Sequence, residues 1–302
     1  MMMLNHERVA TSIYVFFYTF NIPMFVLMVG YFSKVGNKTE KYVVNTFGVL
    51  ALFLVFNIVM GLCYPRQLSL SAILTPQTGA WFLLSLFVWR FAMMFMKQEW
   101  INSKGLIICI TISILAGLCP LGDWLAFMRT FDMFPFLFLG LLFKGTAVFE
   151  RLRRMPRVVP LMVVIACICL IYFYHPYQNY IYSGFLGLNV FAYVERLCFT
   201  IAAVVLGLSV YCLLPHNNQF LAKLGQKTLF IYVYHLFLLR IVVAIVHHYN
   251  IPTTLPYLVI YITGIVVTCC LLSNIQFLDG LTKQTWLSKV GNSIHKKYIL
   301  KR

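Results

Sequence analysis

Apolar segments long enough to cross a membrane constrain this chain more than any other feature of its sequence. Nine such segments follow one another with short polar gaps between them and occupy most of the 302 residues. A helix that crosses the hydrocarbon core needs about 20 apolar residues, with a range of about 17–25. We therefore predict an all-α fold, a polytopic transmembrane helix bundle of about nine spans, in a single membrane-embedded domain covering 1–302. The predicted spans are roughly 12–32, 42–63, 79–96, 105–120, 127–143, 158–174, 191–213, 228–246 and 256–275.

The composition excludes a soluble globular domain. Hydrophobic residues make up 61% of the chain and charged residues only 11%, which is too little polar surface to cover a soluble fold. The first apolar run starts near Ser12, is long enough to span, and lacks the short core and cleavage site of a signal peptide. We expect it to be a retained helix.

Basic residues fall in every second gap between the apolar segments. Of the 24 Lys and Arg residues, 18 lie in alternate gaps or in the tail after residue 275, whereas the other gaps hold only Arg8 and Arg66. Short cytoplasmic loops retain Lys and Arg. The pattern predicts a multi-pass protein of the plasma membrane, with its N-terminus outside and its C-terminus inside.

The formal net charge of +16 follows from these inner loops, so it does not indicate nucleic acid binding. Attraction to anionic membrane lipids accounts for it. A second interpretation stays open: the inner basic loops could also meet a polyphosphate-bearing cytosolic donor, such as a nucleotide or coenzyme A.

Ionisable residues inside the apolar segments are the first candidates for function, because a charge at membrane depth is costly and usually faces the bundle interior. Cations outnumber anions there, which suits an anionic ligand. The residues are Arg90, Arg129, Arg196 and Arg240, together with Asp132, Glu195 and His235.

Each of these residues also has a purely structural interpretation. Arg129 and Asp132 are three residues apart and could pair with each other. Arg90 could extend its side chain to the inner surface. Glu195 and Arg196 diverge around their helix, so both need partners on other helices, for example Arg90 or Arg129.

Two further polar positions have the same ambiguity. His235 lies five to seven residues inside the cytoplasmic end of the eighth segment, where a histidine is either a hydrogen-bonded packing residue or a catalytic group. Asn21 lies beside Pro23 in the first segment, which predicts either an inward-facing polar site or a plain proline kink. The nine cysteines lie mostly within apolar segments and lack metal-ligand spacing, so no metal site is predicted.

Four stretches of the chain, in order, resemble the acyltransferase 3 family of integral membrane O-acyltransferases, in particular its fucose 4-O-acetylase-like branch. The first resembles the family's Phe-His-Met-Pro-Leu-Phe and Ser-Gly-Tyr-Phe-Ser-Lys motifs, and the last resembles its late Gly-x-x-Ser-Leu-x-Ile-Tyr-x-x-His helix. The four stretches are Phe20–Lys34, Trp81–Arg90, Arg129–Gly140 and Gly225–His235.

The resemblance implies a ten-helix bundle that transfers an acyl group, usually acetyl from cytosolic acetyl-CoA, to a hydroxyl of an extracytoplasmic or lipid-linked glycan. It implies acetyl-CoA as co-substrate, no bound cofactor, and membrane lipids as surroundings. Such chemistry needs a general base and partners for the tetrahedral oxyanion. The catalytic candidates are His235, Asn21, Arg90 and Arg129; the substrate-binding candidates are Glu195, Arg196, Trp81, Trp89 and Tyr232.

The chain departs from the family at its first helix, whose catalytic His has no counterpart here, so we expect that helix to be missing. Asn21 stands where the family has the His of His-Met-Pro, and an amide cannot act as a base near neutral pH. Two other interpretations therefore stay open. The chain could be a transporter or flippase for a glycan or small anion, or an inactive paralogue.

Overall fold

The computed structural model describes residues 2–62, 74–76, 78–121, 124–174, 185–215, 218–249 and 255–276, together with residues 278 and 280. These residues are helical or in connecting turns, and none of them forms a strand. Twelve α-helices are bounded within them: α1 Met2–Phe32, α2 Glu40–Leu62, α3 Trp81–Phe95, α4 Ser103–Ala116, α5 Phe127–Asp132, α6 Phe134–Phe143, α7 Val148–Arg153, α8 Val158–Tyr174, α9 Val190–Leu213, α10 Gln219–Gln226, α11 Thr228–His248 and α12 Leu255–Leu272.

Every predicted apolar segment coincides with a helix or a pair of helices, so the all-helical class is confirmed for the described residues. Four helices are long and apolar enough to cross a membrane, namely α1, α2, α9 and α11, and a fifth span results if α5 and α6 are counted as one broken helix. The apolar helices α3, α4, α8 and α12 are shorter. The structure thus supports a membrane protein, and the count of nine spans stays a prediction.

The predicted continuous span 127–143 is divided, which corrects the sequence interpretation. Its two halves, α5 and α6, are bent by 43°. Pro135 is the second residue of α6 and has no backbone N–H to donate to a preceding turn, so it favours the start of a helix over its interior. Just before α5, Leu125 and Ala126 both have a φ of 53°, a left-handed conformation that is uncommon for residues with a side chain.

The chain divides into two compact units, each built from two stretches of sequence. Unit 1 comprises residues 1–36 and 92–215, and unit 2 comprises residues 37–91 and 216–302. Unit 1 therefore holds α1 and α4 to α9, and unit 2 holds α2, most of α3 and α10 to α12. The single membrane-embedded domain stays a prediction.

Within unit 1, two glycines bring the backbones of α1 and α6 together. A Cβ atom on Gly30 of α1 would overlap the carbonyl oxygen of Leu137, and a Cβ atom on Gly140 of α6 would overlap that of Leu27. Small residues at such crossings allow membrane helices to pack closely. The α1–α6 crossing is therefore a glycine-dependent contact from both sides.

Contacts between helix ends in unit 1 join loops that the charge pattern places on the same side. At the predicted inner end, Lys144 Nζ donates a hydrogen bond to the carbonyl of Ser33, and Arg153 Nε donates to the Tyr211 hydroxyl at 2.9 Å. At the predicted outer end, the N–H of Leu186 donates to the carbonyl of Gly117 at 3.0 Å. Each contact therefore joins two helix ends that the charge pattern assigns to one side of the membrane, and the topology itself stays a prediction.

Candidate functional site

The nine predicted site residues fall into two groups, one in each unit. Unit 2 holds five of them: Trp81, Trp89, Arg90, Tyr232 and His235. Unit 1 holds the other four: Asn21, Arg129, Glu195 and Arg196. The two groups differ in their surroundings.

In unit 2, the ring of Phe82 connects three of the predicted aromatic residues. Its centroid lies 6.0 Å from that of Trp81, 5.9 Å from that of Trp89 and 5.1 Å from that of Tyr232, with edge-on geometry in each case. Trp81, Phe82 and Trp89 are buried. The two tryptophans therefore pack in the interior, and Phe82, which the sequence interpretation did not select, is the ring through which they contact Tyr232.

The turn Thr78–Ala80 approaches α11 at Tyr232. The Tyr232 hydroxyl donates a hydrogen bond to the carbonyl of Gly79. A Cβ atom on Gly79 would lie 2.6 Å from Leu236 Cδ1 and 3.3 Å from Tyr232 Oη. A side chain at this position would therefore require Leu236 to shift, and the sequence around Gly79 gives no signal of this close approach.

His235 lies one turn after Ile231 on α11, and its orientation is fixed by one ring nitrogen. Nδ1 lies 2.9 Å from the Ile231 carbonyl oxygen. A carbonyl only accepts, so Nδ1 carries the proton and Nε2 of the neutral ring carries a lone pair. Across the described part of the chain, Nε2 has no hydrogen-bond partner. The ring is half-buried, 5.7 Å from that of Tyr232.

Arg90 is held on α3 by an aromatic contact with α2. Its Cζ lies 5.2 Å from the centroid of the Tyr42 ring, a distance typical of a cation–π interaction. The Tyr42 hydroxyl in turn donates to the Arg90 carbonyl at 3.4 Å. Arg90 is half-buried, and Tyr42 lies near the start of α2, so extension of the side chain towards the predicted inner surface stays an open interpretation.

In unit 1, Arg196 of α9 forms a buried ion pair with Asp132 of α5. Arg196 Nη1 lies 2.9 Å from Oδ1 and 2.8 Å from Oδ2 of the carboxylate. The hydroxyl of Ser113 on α4 also donates to Asp132 Oδ1, at 3.1 Å. Three helices thus contribute to one network, in which Asp132 is the last residue of α5.

This geometry corrects the two pairings considered from the sequence. Asp132 pairs with Arg196 from a distant helix, although Arg129 lies only three residues before it. Arg129 is half-buried on α5 and its Nε atom is buried. Asn21, for which the sequence left open an inward-facing polar site or a plain proline kink, has an exposed side chain, whereas Pro23 is buried within an uninterrupted α1.

Two cavities flank α9 in unit 1 and separate the adjacent residues Glu195 and Arg196. One has a volume of about 270 Å³ and includes Ser113, Tyr193 and Arg196 in its lining. The other has a volume of about 550 Å³ and includes Glu195. The divergence of the two side chains around their helix is therefore as the sequence predicts.

Over the described ranges, no group of three or more His, Cys, Asp or Glu side chains is arranged to hold a metal ion. Comparison of the chain with known protein families, with curated proteins and with solved structures gave no match.

Proposed function

We propose that this chain is a membrane-embedded O-acyltransferase. It moves an acyl group, in the simplest case acetyl, from cytosolic acyl-CoA to a hydroxyl of a cell-surface or lipid-linked glycan. The observation that carries the proposal is the orientation of His235, whose Nδ1–H bond to Ile231 leaves the Nε2 lone pair available. A sugar hydroxyl needs such a base to become a nucleophile near neutral pH.

In the proposed reaction, His235 Nε2 removes the proton from the acceptor hydroxyl while the hydroxyl oxygen attacks the thioester carbonyl. The tetrahedral oxyanion then collapses, the carbon–sulfur bond breaks, and the coenzyme A thiolate takes the proton from the imidazolium. The carbonyl of Ile231 keeps the ring in one orientation throughout. Tyr232, tied to Gly79, keeps the neighbouring turn of α11 in place.

Arg90 and Arg129 are proposed to hold anionic groups of the donor or the acceptor. A guanidinium presents several N–H donors in a planar fork that matches phosphate and carboxylate oxygens. The proposal includes the predicted topology of nine spans in the plasma membrane, with the N-terminus outside and the C-terminus inside. In that arrangement the basic inner loops face the cytosolic donor.

The test compares two histidines of α11. His235→Gln removes the base, whereas His248→Gln changes an exposed histidine at the predicted outer end of the same helix. Membrane vesicles containing the full chain are supplied with acetyl-CoA labelled in its acetyl group, and label is counted in the glycan and lipid fractions. We expect His235→Gln to lower the transfer rate about 10²–10⁴-fold, the usual contribution of a general base, and His248→Gln to leave it unchanged.

Equal transfer by the wild-type chain and His235→Gln would remove His235 from the reaction. Absence of transfer by the wild-type chain, with intact acetyl-CoA, would contradict the enzyme proposal. A melting temperature of His235→Gln close to that of the wild type would show that any lost transfer is not caused by unfolding.

A transporter or flippase for a glycan or small anion is the second candidate. The buried Arg196–Asp132 pair beside a cavity favours it, because ionisable residues at membrane depth also mark substrate paths. Flux of a labelled glycan lipid or anion through proteoliposomes, without consumption of acetyl-CoA, would select this function. If neither glycan flux nor acetyl transfer is observed, the chain is an inactive paralogue.

A further inference from the structure

The larger cavity of unit 1 is a groove between α1, α8 and α9. Its volume is about 550 Å³. Thr19 and Leu206 lie in its lining and are almost completely buried, whereas Leu170 and Phe191 in the same lining are 67% and 86% exposed. The groove therefore has an inner wall of packed side chains and an open side formed by apolar residues.

Glu195 is the charged residue in the lining of this groove. Its side chain is half-buried, and within the described residues it has no hydrogen-bond or ion-pair partner. The hydroxyl of Thr19 does not serve as one, since it donates to the carbonyl of Val15 at 2.7 Å. A carboxylate without a partner among apolar side chains is costly, so a bound cation or donor would stabilise this site.

The position of Glu195 on α9 indicates the depth of the carboxylate. It is the sixth residue of the helix, and a rise of 1.5 Å per residue places it about 8 Å from the helix start. The headgroup region of a bilayer is about 5–8 Å thick on each side of the hydrocarbon. If α9 starts at the membrane surface, the carboxylate lies where lipid headgroups meet acyl chains.

We propose that this groove binds a membrane lipid whose headgroup carries a primary ammonium, with the ammonium on Glu195 and an acyl chain along the apolar walls. The charge of Glu195 selects a cation over an anionic headgroup. A primary ammonium is compact and has three N–H donors for the carboxylate oxygens, whereas a quaternary ammonium has none. The binding site does not depend on acyl transfer.

The test measures lipid retention by the purified full chain in detergent micelles, using native mass spectrometry. Equal amounts of phosphatidylethanolamine, phosphatidylcholine and phosphatidylglycerol with identical acyl chains are added. We expect the wild-type chain to retain phosphatidylethanolamine over the other two lipids by about tenfold, which corresponds to one modest polar contact. Glu195→Gln should abolish this preference, and Glu150→Gln, which changes an exposed carboxylate of α7, should keep it.

Equal retention of the three lipids by the wild-type chain would overturn the proposal, as would an unchanged preference in Glu195→Gln. If Glu195→Gln does not fold, the variant Ala202→Phe tests the lipid-binding site instead. Ala202 lines the groove, and the larger side chain fills it without removing the carboxylate. Ala202→Phe should lose the retained phosphatidylethanolamine, and full retention by this variant would contradict the site.

Discussion

The polar groups of the two units are held in opposite ways. In unit 1, Ser113 and Arg196 both donate to the Asp132 carboxylate, and each of the three side chains is less than a tenth exposed. In unit 2, Tyr232 and His235 are each anchored to a backbone carbonyl and remain half-buried. Side chains that satisfy one another determine how helices pack, whereas a side chain anchored through one atom keeps another atom available for chemistry.

The largest expected effect comes from breaking the ion pair of unit 1. Arg196→Leu leaves the Asp132 carboxylate buried with only the Ser113 hydroxyl as a known partner. Removing one partner of a buried ion pair typically costs about 3–5 kcal/mol. We expect a corresponding fall in the free energy of unfolding, measured in detergent micelles by denaturant titration.

The double variant Asp132→Leu with Arg196→Leu provides the control, because it removes both charges. It should recover most of the lost stability. A double variant as unstable as Arg196→Leu would show that the pair contributes more than mutual neutralisation, and a fully stable single variant would contradict an architectural role.

A smaller effect is expected at the glycine crossing, which also belongs to unit 1. Gly140→Ala places a methyl group against the backbone of Leu27, and overpacking of this kind costs about 1–3 kcal/mol. Gly264→Ala on α12 is the matched control, since a Cβ atom there meets open space and alanine favours a helix over glycine by up to about 1 kcal/mol. In thermal unfolding, Gly140→Ala should lower the melting temperature and Gly264→Ala should raise it. Equal melting temperatures of the two variants would argue against the close crossing of α1 and α6.

The smallest effect on stability is expected in unit 2. Tyr232→Phe removes one hydrogen bond to the backbone, worth about 0.5–1.5 kcal/mol, and keeps the ring contact with Phe82. Tyr257→Phe, at a residue 41% exposed on α12, controls for the general loss of a hydroxyl. A destabilisation by Tyr232→Phe as large as that of Arg196→Leu would remove the contrast between the units.

The positions of the helices were predictable from the sequence, and the break within one of them was not. Nine apolar runs correspond to helices because only a helix satisfies its own backbone in an apolar environment. Proline is also tolerated inside membrane helices, so Pro135 alone does not locate a break: α1 continues through Pro23, whereas the span around Pro135 is bent by 43°.

The composition of the candidate sites was predictable, and their pairings were not. The cost of a buried charge identifies Asp132, Glu195 and Arg196 from sequence alone. The partner of Asp132 lies 64 residues further along the chain, and sequence separation says nothing about which helices pack together. Phe82 and Gly79 were not identified as site residues from the sequence, because an apolar residue and a glycine carry no chemical signature of their own.

The glycine crossing of α1 and α6 has a consequence for biosynthesis. Gly30 and Gly140 are separated by 110 residues, and a ribosome adding about 5–20 residues per second needs roughly 5–20 s to make that length. During this interval the first helix has left the ribosome, and the surface that it will bury against its partner does not yet exist. The newly made α1 must therefore persist without α6 for this time, and its glycine face stays open to any chaperone or insertase that binds membrane helices.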